Sequence, residues 1–256
     1  MKIHWTILGS AAGGASPDRA CTGYALSVDE NVIIFDCGSG VMSSFLRGGY
    51  DTRDVESIVL SHTHPDHISD LPLLIQNMYL VKREKRLDIY LPSEAVSPIR
   101  NYLNTCYLFQ EKFPFEFHLF PIESTIELLD SKVEIAAIAN RHLQGNSEII
   151  KQAGYTNRTE CYSFLIKAGG KQILYTADII STDEVEEYFD NLDLLVIETA
   201  HIDIFHFGEL LNTKKIGKVI LSHLKEEEIE QIRKFAGEYS GLSKMILAED
   251  NLVLKL

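Results

Sequence analysis

Ser61-His62-Thr63-His64-Pro65-Asp66-His67 is the most informative segment of this sequence. It places three histidines and one aspartate within six consecutive residues, directly after an apolar run that predicts a buried strand over 57–61. Two histidines that are two residues apart can face the same way in an extended segment, and the chain then turns into the next helix. Imidazole and carboxylate groups suit zinc, manganese or iron. The segment therefore predicts a metal site with two ligand pairs, His62 with His64 and Asp66 with His67.

Short apolar runs alternate with amphipathic segments along the rest of the chain. Apolar residues at three- and four-residue spacings predict helices, and short apolar runs bounded by turn residues predict strands. The predicted helices cover 68–81, a segment that begins at Ser93, 183–189, 207–214 and 226–239. The predicted strands cover 3–8, 24–28, 32–36, 57–61, 89–91, 115–120, 133–139, 162–167, 172–176, 192–198, 219–222, 245–248 and 252–254. Two β-sheets packed face to face with helices outside satisfy this order.

The composition of the 256 residues predicts a single domain over 1–256. Apolar residues make up 45% of the chain, which suffices for one large core, and no linker-like stretch divides it. The chain shows no signal peptide and no apolar run of membrane-spanning length. Its four cysteines lack CxxC spacing, so we interpret them as packing residues. These features predict a cytosolic protein with reduced thiols and no membrane partner.

The net charge of the chain limits the kinds of partner that it can bind. The chain carries 24 basic and 37 acidic residues, which gives a formal net charge of −13. Because phosphate neutralisation needs clustered Lys and Arg, this charge argues against a general nucleic-acid surface. A local basic patch, or a metal pair inside an acidic protein, can still receive an anion.

The run from Ser61 to His67 resembles the signature of the metallo-β-lactamase superfamily. Four further elements resemble the motifs that follow in that family, in the same order along the chain. They are Ile33-Ile34-Phe35-Asp36, His142 after the strand 135–139, Tyr175-Thr176-Ala177-Asp178 and Ile220-Leu221-Ser222-His223. The resemblance extends over nearly the whole chain. It implies an α+β fold, the αββα sandwich of two mixed sheets, with the site at one edge of the sheets.

The resemblance also implies two divalent metal ions. One ion would take His62, His64 and His142, and the other would take Asp66, His67 and His223, with Asp178 as the bridge. Two ions about 3.5–4 Å apart can share a hydroxide whose pKa they lower towards about 7, and this hydroxide is the expected nucleophile. Zinc is the expected metal, and manganese and iron stay open. For Asp36, acceptance from a ligand histidine and a simple turn-forming role both stay open.

Within the superfamily, the chain is most similar to the ribonuclease Z group and related phosphodiesterases. Leu8-Gly9-Ser10, with Pro17 and Arg19, resembles the opening of that group, and the strand that ends at Glu198 resembles its acidic strand end. In that group the glutamate orients a downstream histidine that acts as general acid. The resemblance implies His206 for this role, with His201 as second choice. A phosphodiester leaving group needs a proton, and a histidine held by a carboxylate supplies one. The expected catalytic residues are Glu198 and His206 for this step, together with Asp66 of the metal site.

Two departures from the ribonuclease Z pattern bear on the substrate. Only a short stretch separates His142 from Asp178, where that group has a long substrate-gripping arm, and His206 is followed by Phe-Gly instead of Ser-Thr. We therefore expect a hydrolase of a small or short phosphodiester, with Arg19 and Arg141 as candidates for meeting its charge. The alternatives are a ribonuclease Z-type tRNA three-prime endonuclease and a lactone, thioester or aryl-sulfate hydrolase. A metal-binding module without catalysis, a di-iron redox role and a homodimer formed through the aromatic-rich segment 80–120 also stay open.

Overall fold

The computed structural model describes residues 1–239 and 244–256, and this part of the chain contains fourteen strands and seven α-helices. The strands are β1 Ile3–Gly9, β2 Gly23–Val28, β3 Asn31–Phe35, β4 Val55–Val59, β5 Leu87–Leu91, β6 Phe117–Pro121, β7 Thr125–Leu128, β8 Val133–Ala139, β9 Tyr162–Ala168, β10 Lys171–Tyr175, β11 Leu192–Glu198, β12 Ile216–Ser222, β13 Lys244–Leu247 and β14 Val253–Lys255. The α-helices are α1 Val41–Arg47, α2 Pro65–Ile68, α3 Leu71–Leu80, α4 Val96–Thr105, α5 Ser147–Ala153, α6 Ile204–Leu211 and α7 Ile229–Tyr239. Short 3₁₀ helices cover Thr52–Asp54, Ser93–Ala95, Gln110–Lys112, His142–Asn146, Thr182–Glu184, Glu186–Tyr188 and Glu226–Glu228.

The described chain forms two compact units, each with one seven-stranded sheet. Unit 1 comprises Met1–Ser10, Gly14–Ile122 and Glu249–Lys255, and unit 2 comprises Ala11–Gly13, Glu123–Ala248 and Leu256. Both sheets are mixed and both units carry helices, so the predicted α+β class with two mixed sheets is confirmed. The single domain over 1–256 stays a prediction. Within the described range, no helix combines the length and the apolarity that crossing a membrane requires.

The sheet of unit 1 has the strand order β14-β1-β2-β3-β4-β5-β6. Its first four strands pair antiparallel, and β3 to β6 pair parallel. In the parallel part, Phe35 at the end of β3 pairs with Val59 at the end of β4. Because the carboxyl ends of parallel strands meet at one edge of a sheet, the segments after these two strands lie side by side. That register brings Asp36 next to the segment that begins at Ser61.

Helix α3 covers the parallel part of unit 1 with one apolar face. Leu71, Leu74, Ile75 and Met78 recur at helical spacing, and all four are buried in a cluster with residues of the sheet. The helix predicted over 68–81 is α3, which begins at Leu71, and Ile68 belongs to the preceding short helix α2. The physical reason is Pro72, which has no N–H to donate to the carbonyl four residues earlier and therefore begins a new helix.

The sheet of unit 2 has the strand order β13-β12-β11-β10-β9-β8-β7. Strands β10 to β13 pair parallel, with Tyr175 opposite Val196 and Glu198 opposite Ser222. Strands β7 to β10 pair antiparallel, so the end of β8 and the end of β10 lie on either side of the start of β9. The ends of β8, β10, β11 and β12 therefore share one edge of this sheet.

The helices of unit 2 differ from the sequence prediction at two places. The helix predicted over 183–189 is a pair of single 3₁₀ turns. The helix predicted over 207–214 begins at Ile204, because the Asp203 carboxylate accepts from the backbone N–H groups of Phe205 and His206 and so caps the first turn. The sequence analysis missed α1, α5 and β7.

Candidate functional site

Unit 1 carries four predicted ligands on one loop, which we call the loop half-site: His62, His64, Asp66 and His67. The Nε2 atom of His62 lies 3.1 Å from Nδ1 of His64. The Nε2 atom of His67 lies 3.5 Å from Oδ2 of Asp66. Donor atoms that share an ion at about 2.0–2.2 Å lie about 3–3.6 Å from one another. Both pairs therefore have the spacing and the donor types of ligands to a divalent ion.

Asp36 holds two of these histidines in the protonation pattern that a ligand needs. Its carboxylate accepts from the Ser61 backbone N–H at 2.7 Å, from the Ser61 hydroxyl at 2.8 Å and from Nδ1 of His67 at 2.9 Å. Because the Ser61 hydroxyl donates to Asp36, its oxygen accepts from Nδ1 of His62 at 3.0 Å. Protons on both Nδ1 atoms leave the Nε2 lone pairs available for a metal. Of the two roles considered for Asp36, the contacts support acceptance from a ligand histidine.

The loop half-site also depends on a close backbone approach. A Cβ atom at Gly38 would lie 1.9 Å from the carbonyl oxygen of Asp66. The neighbouring Cys37 donates its N–H to the carbonyl of His67 at 2.6 Å and accepts from the N–H of Asp70 at 2.9 Å. Only glycine fits at position 38, because any side chain there would push the ligand loop away from β3.

Unit 2 carries three predicted ligands at the ends of three different strands, which we call the strand-end half-site: His142, Asp178 and His223. A single oxygen, Oδ2 of Asp178, lies 3.5 Å from Nε2 of His142 and 3.3 Å from Nε2 of His223. All three side chains are at most 7% exposed. His223 adopts a left-handed backbone with φ of 54°, a strained position that the end of β12 imposes. One carboxylate oxygen within ligand spacing of two histidines is the arrangement expected of a bridging carboxylate.

A buried network of neutral polar groups, which we call the Asn140 network, supports the strand-end half-site. Oδ1 of Asn140 accepts from the backbone N–H of His142 at 3.1 Å, and its amide donates to the Ser163 hydroxyl at 3.2 Å. Ser163 donates in turn to the carbonyl of Thr176 at 2.6 Å, and the Thr176 hydroxyl accepts from the backbone N–H of Glu198 at 3.2 Å. The network thus links the ends of β8, β10 and β11. The sequence analysis missed it, because no motif marks isolated polar residues within apolar strands.

Glu198 pairs with His201 and not with His206 in the described part of the chain. Its Oε2 atom accepts from the backbone N–H groups of Ala200 and His201 and lies 3.3 Å from Nδ1 of His201. The side-chain hydrogen bond with Glu198 raises the pKa of His201, against the opposing effect of burial. The His201 ring lies 4.9 Å, centroid to centroid, from the ring of His142. His201 therefore adjoins the strand-end half-site.

His206, the first choice for the general acid, lies next to Asp183 in the structure. Nε2 of His206 lies 3.4 Å from Oδ1 of Asp183, and the ring is 45% exposed. The physical reason is the early start of α6, which carries His206 past the turn after β11, whereas His201 lies within that turn. The second choice, His201, is the histidine that Glu198 holds.

The two arginines considered for substrate charge lie in different units. Arg19 of unit 1 lines a cavity of about 310 Å³ together with Arg47 and Asp250, and its Nη1 donates to the Ser10 hydroxyl at 2.8 Å. Arg141 of unit 2 precedes His142 directly and contacts Glu184.

Comparisons with known proteins identify the family and the fold. A family model described as a beta-lactamase superfamily domain matches residues 31–224. Ribonuclease Z of Thermoplasma acidophilum is 25% identical over 231 residues, which cover 78% of this chain and 74% of that protein. The solved metallo-beta-lactamase fold protein YhfI of Bacillus subtilis has a TM-score of 0.76 at 19% identity and covers 100% of this chain and 99% of its own. Human tRNase Z, short form, has a TM-score of 0.72 at 17% identity and covers 98% of each chain.

These findings differ in what they establish. The solved structures share too little sequence to show more than the fold, which is the metallo-β-lactamase fold. The family model spans well over half of the residues and includes every predicted metal ligand. The family resemblance predicted from the sequence is therefore confirmed, and this chain belongs to the beta-lactamase superfamily.

Proposed function

We propose that this protein is a dinuclear-metal-dependent hydrolase that cleaves a phosphodiester bond in a small or short substrate. The observation that carries the proposal is Oδ2 of Asp178, which lies within ligand spacing of both His142 and His223. A carboxylate oxygen with a histidine nitrogen at ligand distance on each side can serve two ions, one beside each histidine. Membership of the beta-lactamase superfamily and the similarity to a ribonuclease Z support the same reaction class.

The proposed ligands are those that the superfamily resemblance implies. One ion would be held by His62, His64 and His142 and the other by Asp66, His67 and His223, with Asp178 shared between them. When bound, the ions would act as Lewis acids and supply a nucleophile derived from water. Zinc is the proposed metal because the donor set combines imidazole with carboxylate. Asp66 has a second role in the proposal, since a carboxylate beside the attacking water can accept its proton.

We assign the general acid to His201 and its orientation to Glu198. A histidine held by a carboxylate stays protonated to a higher pH and can donate its proton to the leaving oxygen. The raised pKa of His201 is the direction that this role requires. His206 is left without a role in proton transfer, because its partner is the exposed Asp183.

A ribonuclease Z activity on tRNA is the second candidate, favoured by the similarity to proteins of that name. Two features of this chain oppose it: the net charge of −13 and the short stretch between His142 and Asp178. If the same preparation cleaved a tRNA precursor, the proposed substrate would be a large RNA instead of a small phosphodiester. The proposed chemistry of the site would stay the same. A homodimer and a cytosolic location stay predictions.

Metal analysis of the purified protein, combined with a substrate panel, tests the proposal. The panel contains bis-p-nitrophenyl phosphate, a tRNA precursor, a lactone, a thioester and an aryl sulfate. We expect two ions per chain and metal-dependent turnover of the phosphodiester, lost on His64→Ala. The matched control is His118→Ala, because His118 is a partly exposed histidine on β6 that pairs with Glu116. A protein that holds two ions yet hydrolyses only uncharged esters would overturn the phosphodiester assignment.

A further inference from the structure

Arg141 has an unusual environment for an exposed arginine. Its side chain is 54% exposed, yet its position is fixed by Glu184, whose side chain is only 4% exposed. Oε1 of Glu184 accepts from the backbone N–H and from Nε of Arg141, both at 2.9 Å. A buried carboxylate thus holds the inner part of an arginine whose outer part faces solvent.

The same glutamate connects the two loops that carry ligands of the strand-end half-site. Oε2 of Glu184 accepts from the backbone N–H of Ile180 at 2.9 Å, and Ile180 follows Asp178 by two residues. Arg141 precedes His142 directly. The guanidinium is therefore placed at the rim of this half-site by hydrogen bonds that involve both ligand loops.

The outer edge of the guanidinium is available for a ligand. Nε is occupied by Glu184, while Nη1 and Nη2 make no hydrogen bond with any residue that the structure describes. These two nitrogens present N–H groups in one plane, a geometry that matches two oxygens of a phosphate and that a lysine cannot reproduce. An uncharged ester offers only one carbonyl oxygen to such a pair of donors.

We propose that Arg141, held in place by Glu184, binds a phosphate group of the substrate through Nη1 and Nη2. The proposal rests on the proposed function, and it assigns the site to anionic phosphate esters instead of neutral acyl compounds. Because Glu184 offsets much of the arginine's charge, the contribution is directional hydrogen bonding more than long-range attraction. Arg141 contacts substrate in this scheme, and Glu184 is a positioning residue.

The first test measures binding without turnover. Thymidine 5′-monophosphate is titrated by calorimetry into wild-type protein, Arg141→Ala and Arg141→Lys, each with zinc and after metal removal. We expect the zinc-loaded wild type to bind about tenfold more tightly than either variant, since each variant loses the pair of charge-assisted hydrogen bonds to the phosphate. The control is Arg233→Ala, because Arg233 is 57% exposed and pairs with Glu230 on α7. Equal affinities of wild type and Arg141→Ala would overturn the proposal.

The second test compares substrates. We expect Arg141→Ala to raise the KM for bis-p-nitrophenyl phosphate about tenfold with little change in kcat, and to leave hydrolysis of p-nitrophenyl acetate unchanged. Glu184→Gln should give a smaller rise in KM of the same kind, because it loosens the arginine without removing it. An equal loss on both substrates would show a merely structural role and overturn the assignment. If nucleotide binding depends on Arg141 but no phosphodiester is cleaved, the proposed function fails and the phosphate site stands.

Discussion

The loop half-site and the strand-end half-site reach the same donor spacing by different routes. The first takes all its donors from residues 62–67 and fixes them with one charged group, the Asp36 carboxylate. The second takes its donors from residues 81 positions apart and fixes them through sheet register and the neutral Asn140 network. The donors of the loop half-site are therefore encoded locally, whereas those of the strand-end half-site come together only when unit 2 is folded.

The largest effect is expected from removing the carboxylate that the strand-end half-site shares between two histidines. Asp178→Ala removes the oxygen that lies near both His142 and His223, so we expect both ions to be lost and not just one. A loss of several kcal/mol of transition-state stabilisation corresponds to a fall in kcat/KM on the order of 10³-fold. Metal content by mass spectrometry and kcat/KM on bis-p-nitrophenyl phosphate measure the two effects.

Asp183→Ala is the matched control for this change, since Asp183 is an exposed aspartate of the same unit. A variant at Asp178 that kept both ions and stayed within tenfold of wild-type activity would contradict the bridging role. It would also reduce the strand-end half-site to an ordinary cluster of buried side chains.

The contrast between the half-sites also explains how much the sequence could predict. The run from His62 to His67 is visible without any fold, because its spacing alone limits where the side chains can point. Asp178 and His223 were predictable only through the order of motifs and the strands before them. Their proximity depends on the parallel pairing of β10, β11 and β12, which no local pattern specifies.

The pairing of Glu198 shows what the sequence alone could not reveal. Glu198 and His201 are three residues apart in a turn, and Glu198 accepts from the backbone of that turn, so the carboxylate bends back to His201. The sequence does not show this, because the bend comes from the end of β11 and the Asp203 cap of α6. The start of α3 was readable from the sequence, since a proline such as Pro72 is favoured in the first turn of a helix.

A leaving-group series sharpens the contrast by testing His201, which adjoins the strand-end half-site of unit 2. A general acid contributes about 10²–10⁴-fold when the leaving group needs a proton. We therefore expect His201→Ala to slow cleavage of an alkyl phosphodiester at least 100-fold, and of a p-nitrophenyl ester only slightly, because p-nitrophenolate leaves without a proton. His206→Ala should slow neither ester. Equal losses on both esters in His201→Ala would point to a structural role for that histidine.

Removing the charge of Asp36, which holds the loop half-site, should give the next largest effect. Asp36→Asn replaces a carboxylate that only accepts with an amide that also donates, so Nδ1 of His67 loses the group that keeps its proton. Loss of such a partner typically weakens metal affinity about 10- to 100-fold. Competition between the protein and a zinc chelator measures this, and Asp29→Asn on the surface is the control. Unchanged zinc affinity in Asp36→Asn would show that the ligand loop is rigid without its anchor.

Removing Asn140, which supports the strand-end half-site through neutral hydrogen bonds, should give the smallest effect. Asn140→Ala removes the acceptor for the His142 N–H and the donor to Ser163, but it leaves the imidazole itself untouched. A neutral hydrogen bond contributes about 0.5–1.5 kcal/mol, which corresponds to about a 2- to 10-fold loss of zinc affinity. Ser163→Ala should reduce zinc affinity by a similar factor.

The double variant should lose less affinity than the sum of the two single losses, because both residues act through one chain of hydrogen bonds. Asn146→Ala is the local control, since Asn146 lies on the same 3₁₀ helix as His142 and its amide donates to the carbonyl of Leu143. Additive losses in the double variant would mean that Asn140 and Ser163 act independently. The strand-end half-site would then depend on sheet register alone, without a supporting network.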